Sequence, residues 1–461
     1  MPQNPQPQAS SATRRFSLPF RHPLLLAGLF AASTSLALIS PHLSAAVHAS
    51  LEASPKEVLD EAWQIVNREY VDTTFNNVDW QEIRYELLSQ EYSSTREAYA
   101  ALNRALRQLQ DPYTRFMTPE QYEVLTNQTS GELSGVGIRL QKEDGSDELM
   151  IIEVLPNSPA ANSGLEAGDR ILSIDGEDTD DMSLEEASER IRGDEGSSIT
   201  LEMQRGSEEQ FDVVVTRARI ELTNVYYSLK QEQGVDVGYI QLTEFSGHAA
   251  EQMQAAIEDL SEQGAEGFVL DLRGNPGGLL DASIEIARMW LPTGTIVSTV
   301  DRGGENIAIR ANDTALTQLP LVVLVDGNSA SSSEILTGAL RDNERATVVG
   351  SQTFGKALVQ QVYRLSDGSG LAVTISHYYT PNGTDISQLG ITPDVAIDLT
   401  AAQRQQLSRN PESIATSADP QYNRAISVLQ TDVALRRITG ESPQSSTQSR
   451  VPLRGTPRQA P

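Results

Sequence analysis

Residues 321–335 read Leu321-Val322-Val323-Leu324-Val325-Asp326-Gly327-Asn328-Ser329-Ala330-Ser331-Ser332-Ser333-Glu334-Ile335. Five apolar residues, three of them β-branched, predict a strand covered on both faces. The small polar run that follows is turn chemistry, and helical spacing resumes over Ser332–Arg341. The same alternation continues on either side. Apolar strands fit Gly238–Leu242, Phe268–Leu272 and Thr347–Val349, and helices fit Ala249–Glu262 and Leu280–Trp290. Fully apolar strands interleaved with helices predict an α/β layer fold around a buried sheet.

Outward from this core the pattern changes twice. Residues 131–219 predict short strands at Gly137–Leu140, Met150–Leu155, Arg170–Ile174, Ile199–Gln204 and Phe211–Thr216, with turns such as Asp175-Gly176 between them. One helix fits Ser183–Arg192, where Ser183 and Glu186 form a capping box. Residues 51–128 read as helical, with apolar positions at helical spacing and prolines 112 and 119 at the exit. They read as a packing or self-association element without chemistry. A last helix fits Gln421–Arg437, and after Gly440 the chain turns to Ser, Pro, Gln, Thr and Arg, a composition that predicts a disordered tail.

The N-terminus reads as an export signal. Arg14, Arg15 and Arg21 precede an apolar run from Leu24 to Ile39, and Val47-His48-Ala49 offers a small-x-small cleavage site. The apolar run is shorter than the ~20 residues of a membrane span. Cleavage rather than anchoring is therefore expected, with no membrane insertion afterwards.

Composition narrows the chemistry. The 461 residues carry a net charge of −28, which disfavours nucleic acid as a partner, since phosphate contacts need a basic face. No cysteine is present, so disulfides, thiolate nucleophiles and Cys-ligated metals are excluded. Of five histidines only His248 and His377 follow residue 49, far apart in sequence and without metal-ligand spacing. The reading is no metal and no cofactor.

A serine nucleophile in 326–335 would therefore need a base other than histidine, and a neutral lysine can serve. Taken alone, the serine cluster also reads as a plain helix N-cap. Lys356 adds weight to the catalytic alternative. It lies in Thr353-Phe354-Gly355-Lys356-Ala357-Leu358-Val359-Gln360, among apolar and glycine neighbours, in a chain with four lysines. A lysine in an apolar site can lose its proton, which an arginine cannot. A third element, Asp271-Leu272-Arg273-Gly274-Asn275-Pro276-Gly277-Gly278, closes an apolar strand with glycines that let backbone approach a substrate.

Together these elements resemble the C-terminal-processing (tail-specific) peptidases, serine proteases with a Ser–Lys dyad, and cyanobacterial members most of all. Tyr378-Tyr379-Thr380-Pro381-Asn382-Gly383 and Gly390-Ile391-Thr392-Pro393-Asp394 also look like family segments. The resemblance covers roughly 55–440. It implies a crotonase/ClpP-like α/β protease core with an inserted, mainly β PDZ domain and an N-terminal helical segment. It implies Ser331 as nucleophile, Lys356 as general base and Gln360 as the residue that orients the amine. The oxyanion hole would use the N–H groups of Gly277 and Ser332. Gly135-Val136-Gly137-Ile138 looks like the carboxylate-binding loop of a PDZ domain. Leu184, Ala187 and Ile191 could line its groove or serve as core.

The expected organisation is a signal peptide over 1–49, a helical region over 51–128, the PDZ domain over 131–219, the protease core over 220–400, a C-terminal helical region over 401–440 and a disordered tail over 441–461. The expected function is an exported endopeptidase of the periplasm or thylakoid lumen that binds proteins with apolar free C-termini. The helical ends are compatible with a homo-oligomer. Two rivals are a non-catalytic PDZ adaptor or chaperone of the cell envelope, and a hydrolase of thioesters on the related crotonase-like core.

Overall fold

Val322 and Leu324 face one way from the strand Leu321–Val325, and Leu321, Val323 and Val325 the other; all five are buried. This period of two gives a sheet with two dry faces. In the computed structural model, which describes residues 55–142, 148–207 and 209–439, that strand sits inside a six-stranded sheet. The expected signal peptide and the tail beyond 440 lie outside the described residues.

The sheet order is Val225–Glu232, Val235–Leu242, Gly267–Asp271, Leu321–Val325, Thr347–Gly350 and Val395–Ala396. The first pair is antiparallel and the rest are parallel. One face buries Ile240, Leu270 and Val323 under the helices Ala249–Glu262, Leu280–Trp290 and Ser332–Asp342. The other buries Val237, Val269, Val322 and Val349 under Tyr422, Ile426 and Leu429 of the helix Pro420–Thr439. Loops after parallel strands gather at one end of such a sheet, where open α/β folds place their sites.

A second, antiparallel sheet holds Arg115–Met117, Gly370–Tyr379, Thr295–Asp301 and Asn306–Arg310 in that order, with Leu358–Arg364 on the other side of Gly370–Tyr379. Helices Pro55–Glu69, Trp80–Ser89 and Thr95–Arg107 bury Leu59, Leu102 and Leu106 against Leu371 and Val373 of this sheet. The N-terminal region is therefore fused to the sheet that carries the Lys356 segment.

The third body is built on strands Ile138–Lys142, Leu149–Val154, Arg170–Ile174, Ser198–Arg205 and Glu209–Thr216, with Ile138–Lys142 at an edge. The helix Leu184–Ile191 starts at Ser183, whose hydroxyl accepts the Glu186 N–H while Glu186 returns to the Ser183 N–H. Ala187 and Ile191 are buried core and Leu184 is exposed, so only Leu184 remains open to a groove. Flanking strands Glu132–Gly135 and Ala218–Glu221 pair with each other and close the body off.

Candidate active site

Residues 326–331 connect the strand Leu321–Val325 to the helix Ser332–Asp342, and the chain turns sharply at Ser331. Its φ of 55° and ψ of −114° lie where L-residues are strained. Such a turn thrusts the side chain out at the head of a helix. The four serines of the segment differ in what their hydroxyls do. Ser329 Oγ donates to Leu272 O at 2.8 Å, Ser332 Oγ to Gly278 O at 2.9 Å and Ser333 Oγ to Asn275 O at 2.9 Å. These three are buried. Ser331 is half-buried and its hydroxyl donates to no carbonyl among the described residues.

Ser331 and Lys356 share a cavity of about 400 Å³, lined also by Tyr113, Arg115, Glu244, Gly277, Ser332 and Gln360. No direct hydrogen bond joins the two, an arrangement common in unliganded catalytic sites. Their backbones are tied from both sides. Glu334, fully buried, accepts the N–H of Ser331 and of Lys356 on Oε2, each at 2.9 Å. Its Oε1 accepts Thr353 Oγ1 at 2.6 Å and the Gly355 N–H at 2.7 Å. The Tyr378 hydroxyl donates to Ser331 O at 3.2 Å and to Lys356 O. Burial raises the Tyr378 pKa well above the phenol range, which keeps this donor protonated.

The Lys356 ammonium group lies 4.8 Å from the centre of the Tyr113 ring. Burial, helped by the positive charge of Arg115, lowers its pKa, while Asp111 and Glu334 pull the other way. The balance favours a neutral amine more than water does. Burial likewise holds the Glu244 carboxyl above the usual carboxylate range.

Gly277 has φ of +105°, and a Cβ there would fall 2.9 Å from Ser331 Cβ and 3.0 Å from Ser332 N. Only glycine allows this approach. The Gly277 N–H donates to Asn275 Oδ1 at 2.8 Å, whereas the Ser332 N–H has no acceptor among the described residues. The loop is anchored underneath by Arg273, which meets Asp271 at 2.7 Å and Asp419 at 2.8 Å, all three nearly or wholly buried.

The sequence also finds relatives. The chain is 43% identical over 394 residues to the carboxyl-terminal-processing protease of Synechocystis sp., covering 85% of this chain and 91% of that one. The chain belongs to the carboxyl-terminal-processing proteases. A second relative of that name, from Picosynechococcus sp., is 45% identical over 388 residues, covering 84% and 92%. The family descriptions that match are Peptidase family S41 over residues 236–397, PDZ domain over 125–204 and Tricorn protease C1 domain over 51–88. A solved photosystem II D1 C-terminal processing protease superposes with a TM-score of 0.51 at 33% identity, covering 80% of this chain and all of that one. The fold and the serine-type peptidase class expected from the sequence are those of this family.

As a member of this family, the chain gathers Ser331, Lys356, Gly277, Ser332 and Gln360 around one cavity. Gln360 sits on the strand Leu358–Arg364, just past a register shift at Val359/Gln360, and its Nε2 lies 3.4 Å from Thr374 Oγ1 rather than on the lysine. Gly135, Val136, Gly137 and Ile138 lie in the other body. Gly137 has φ of +86°, and the N–H groups of Val136 and Gly137 have no acceptor among the described residues. Sequence reading missed Asp111, Tyr113 and Arg115, in the segment it took to be without chemistry. It also missed what Glu334 binds. The proline-punctuated turn Asp111-Pro112-Tyr113, leading into a short strand, was the available signal for the first three.

Proposed function

We propose that the chain is an exported serine endopeptidase that captures free, apolar C-termini of proteins and cleaves them with Ser331 and Lys356. The observation that carries the dyad is the difference among the four serines: three hydroxyls are given to backbone carbonyls, and Ser331 faces the cavity that Lys356 lines. Neutral Lys356 takes the Ser331 proton as Oγ attacks the substrate carbonyl. The Ser332 N–H, at the head of its helix, meets the oxyanion, and Gly277 lies against Ser331 as the second donor. For that, the Gly277 N–H must leave or share Asn275 Oδ1. Collapse of the tetrahedral intermediate gives the acyl-enzyme, the lysine returns its proton to the leaving amine, and water completes hydrolysis. Gln360 orients the amine.

Capture of the tail is supported by the edge position of Ile138–Lys142. An unpaired strand edge accepts a peptide as a further strand, and the N–H groups of Val136 and Gly137, without an acceptor among the described residues, are the donors offered to its terminal carboxylate. The basic and apolar leader in 1–49 supports export to the periplasm or thylakoid lumen. The D1 processing named for the solved neighbour makes the C-terminus of a photosynthetic membrane protein the first natural substrate to try.

The test is cleavage of one unstructured polypeptide with an apolar C-terminus, as the free acid and as the amide, by wild type and Ser331→Ala. Cleavage that needs both Ser331 and the free carboxylate is expected. Equal cleavage of the amide removes the tail-capture reading and leaves the peptidase.

A further inference from the structure

Lys356 borders two cavities. The first holds Ser331. The second, about 380 Å³, is lined by Asp72, Asp111, Tyr113, Thr374 and His377 among others. Asp111 comes from the N-terminal region and Thr374 from the central strand of the second sheet. Resting on the Ser331–Lys356 reading above, we infer that Asp111 is a positioning residue for catalysis: through Thr374 it decides which end of the Gln360 amide faces the lysine.

The direction of the hydrogen bonds carries this. Asp111 Oδ2 accepts Thr374 Oγ1 and Thr114 Oγ1, both at 2.7 Å, and Oδ1 accepts the Tyr113 N–H at 2.9 Å. An ionised carboxylate only accepts, so both hydroxyl hydrogens point at it. Thr374 Oγ1 then has lone pairs alone to offer its other neighbours. Gln360, 3.4 Å away, must present its NH₂ group to it. The Gln360 carbonyl oxygen is the end left for the cavity that Lys356 shares. An amine that is to aim its lone pair at Ser331 needs an acceptor for one of its hydrogens, and this oxygen supplies it. Without Asp111 the Thr374 hydroxyl can turn and the Gln360 amide loses its preferred flip.

A local turn does not account for this arrangement. The bonds to Tyr113 and Thr114 close the turn after Asp111, and the Thr374 N–H ties its strand to that turn by donating to Thr114 Oγ1 at 3.0 Å. The further bond from the Thr374 hydroxyl, 263 residues from Asp111, is one that closing the turn does not need. Asp111→Asn keeps an acceptor for the Tyr113 N–H while removing the charge. Its amide end can offer a donor to Thr374 and so undo the direction.

The experiment measures kcat and KM against pH on the unstructured polypeptide with an apolar free C-terminus. It compares wild type, Asp111→Asn, Thr374→Val and Thr374→Ser, with Ser331→Ala and Lys356→Met alongside. The charged or titratable groups around Lys356 are Arg115, Asp111, Glu334, Tyr113 and Tyr378, with Glu244 across the first cavity and Tyr70, Asp72 and His377 across the second. Asp111→Asn and Thr374→Val are expected to lower kcat by about ten- to a hundredfold, the scale of a misplaced catalytic group, with KM little changed. Thr374→Ser keeps the hydroxyl and stays near wild type. The acid limb of Asp111→Asn moves to lower pH, because the lost negative charge had favoured the protonated lysine. An unmoved limb with unchanged kcat in Asp111→Asn, or equal losses in Thr374→Ser and Thr374→Val, overturns the inference. The threonine pair carries the test alone should Asp111→Asn not fold. Activity retained by Ser331→Ala or Lys356→Met sinks the dyad reading itself, and the positioning role with it.

Discussion

Ser331 and Lys356 hang from one oxygen: Oε2 of Glu334 accepts both of their backbone N–H groups, each at 2.9 Å. The Tyr378 hydroxyl meets both of their carbonyls. The strained turn at Ser331 and the loop before Lys356 are thereby held to one another while neither side chain is used. A carboxylate accepts all four donors around it, which no neutral side chain of that size does.

Replacing Glu334 is therefore expected to damage fold and rate together. Glu334→Ala leaves four donors unpaired, those of Thr353 and Gly355 buried and those of Ser331 and Lys356 partly so, at about 1–3 kcal/mol for each left dry. Denaturant melts should show a loss of at least about 3 kcal/mol, and kcat should fall on the order of a hundredfold as Lys356 drifts from Ser331. A variant with wild-type stability would contradict the pinning.

Lys356→Met separates catalysis from stability. The folded-state amine is depressed below the ordinary lysine value of 10.5, so the unfolded chain binds more protons in the interval between the two. The cost of burying the cation is in full force below the folded pKa and is gone above the unfolded one. Lys356→Met should be inactive, melt higher than wild type near neutral pH, and lose that advantage as pH rises through the interval. A lower melting temperature at pH 7 would speak against a net cost of holding the cation at this site.

Arg115 sits exposed on the cavity rim and opposes protonation of Lys356. Arg115→Gln removes a positive charge, so the lysine pKa rises and the acid limb of kcat/KM moves to higher pH. This is opposite in sign to the shift expected for Asp111→Asn. High salt should shrink it, since an exposed charge is screened. A limb that moves to lower pH, or not at all, assigns the base elsewhere.

Gly277→Ala places a methyl 2.9 Å from Ser331 Cβ and 2.8 Å from Ala330 O, on a backbone at φ +105°. The turn must shift, and loss of one oxyanion donor alone costs about 10²–10³ in kcat. The loss should fall on kcat, with binding of a tail peptide to the proposed carboxylate loop Gly135–Ile138 unchanged. Loss of tail binding along with activity would mean that the loop and the catalytic turn are one site.

Much of the core could be read from the chain. Fully apolar runs such as Leu321–Val325 have one good solution, a strand with two dry faces, and their helices follow. The second sheet could not be read this way. Its strands Leu358–Arg364 and Asn306–Arg310 mix exposed and half-buried positions, so no clean period marks them. Gln360 was ambiguous for the same reason, since four residues after Lys356 means a neighbour on a helix and a distant site on a strand. Asp111, Tyr113 and Arg115 look like a helix exit punctuated by Pro112 and Pro119. They reach the site only because Arg115–Met117 pairs with Gly370–Ala372, some 250 residues later. Glu334 was visible in its motif, but its role depends on donors at 353–356 that spacing does not reveal.

The most direct test of the central claim is to catch the covalent intermediate. The enzyme is mixed with the tail substrate, quenched in acid within its first turnovers, digested and weighed by mass spectrometry. The account predicts an acyl adduct of the substrate's N-terminal fragment, lighter by one water than the released fragment, on Ser331, absent in Ser331→Ala and in Lys356→Met. Cleavage with no adduct on any serine, or an adduct on Ser329, Ser332 or Ser333, would contradict it.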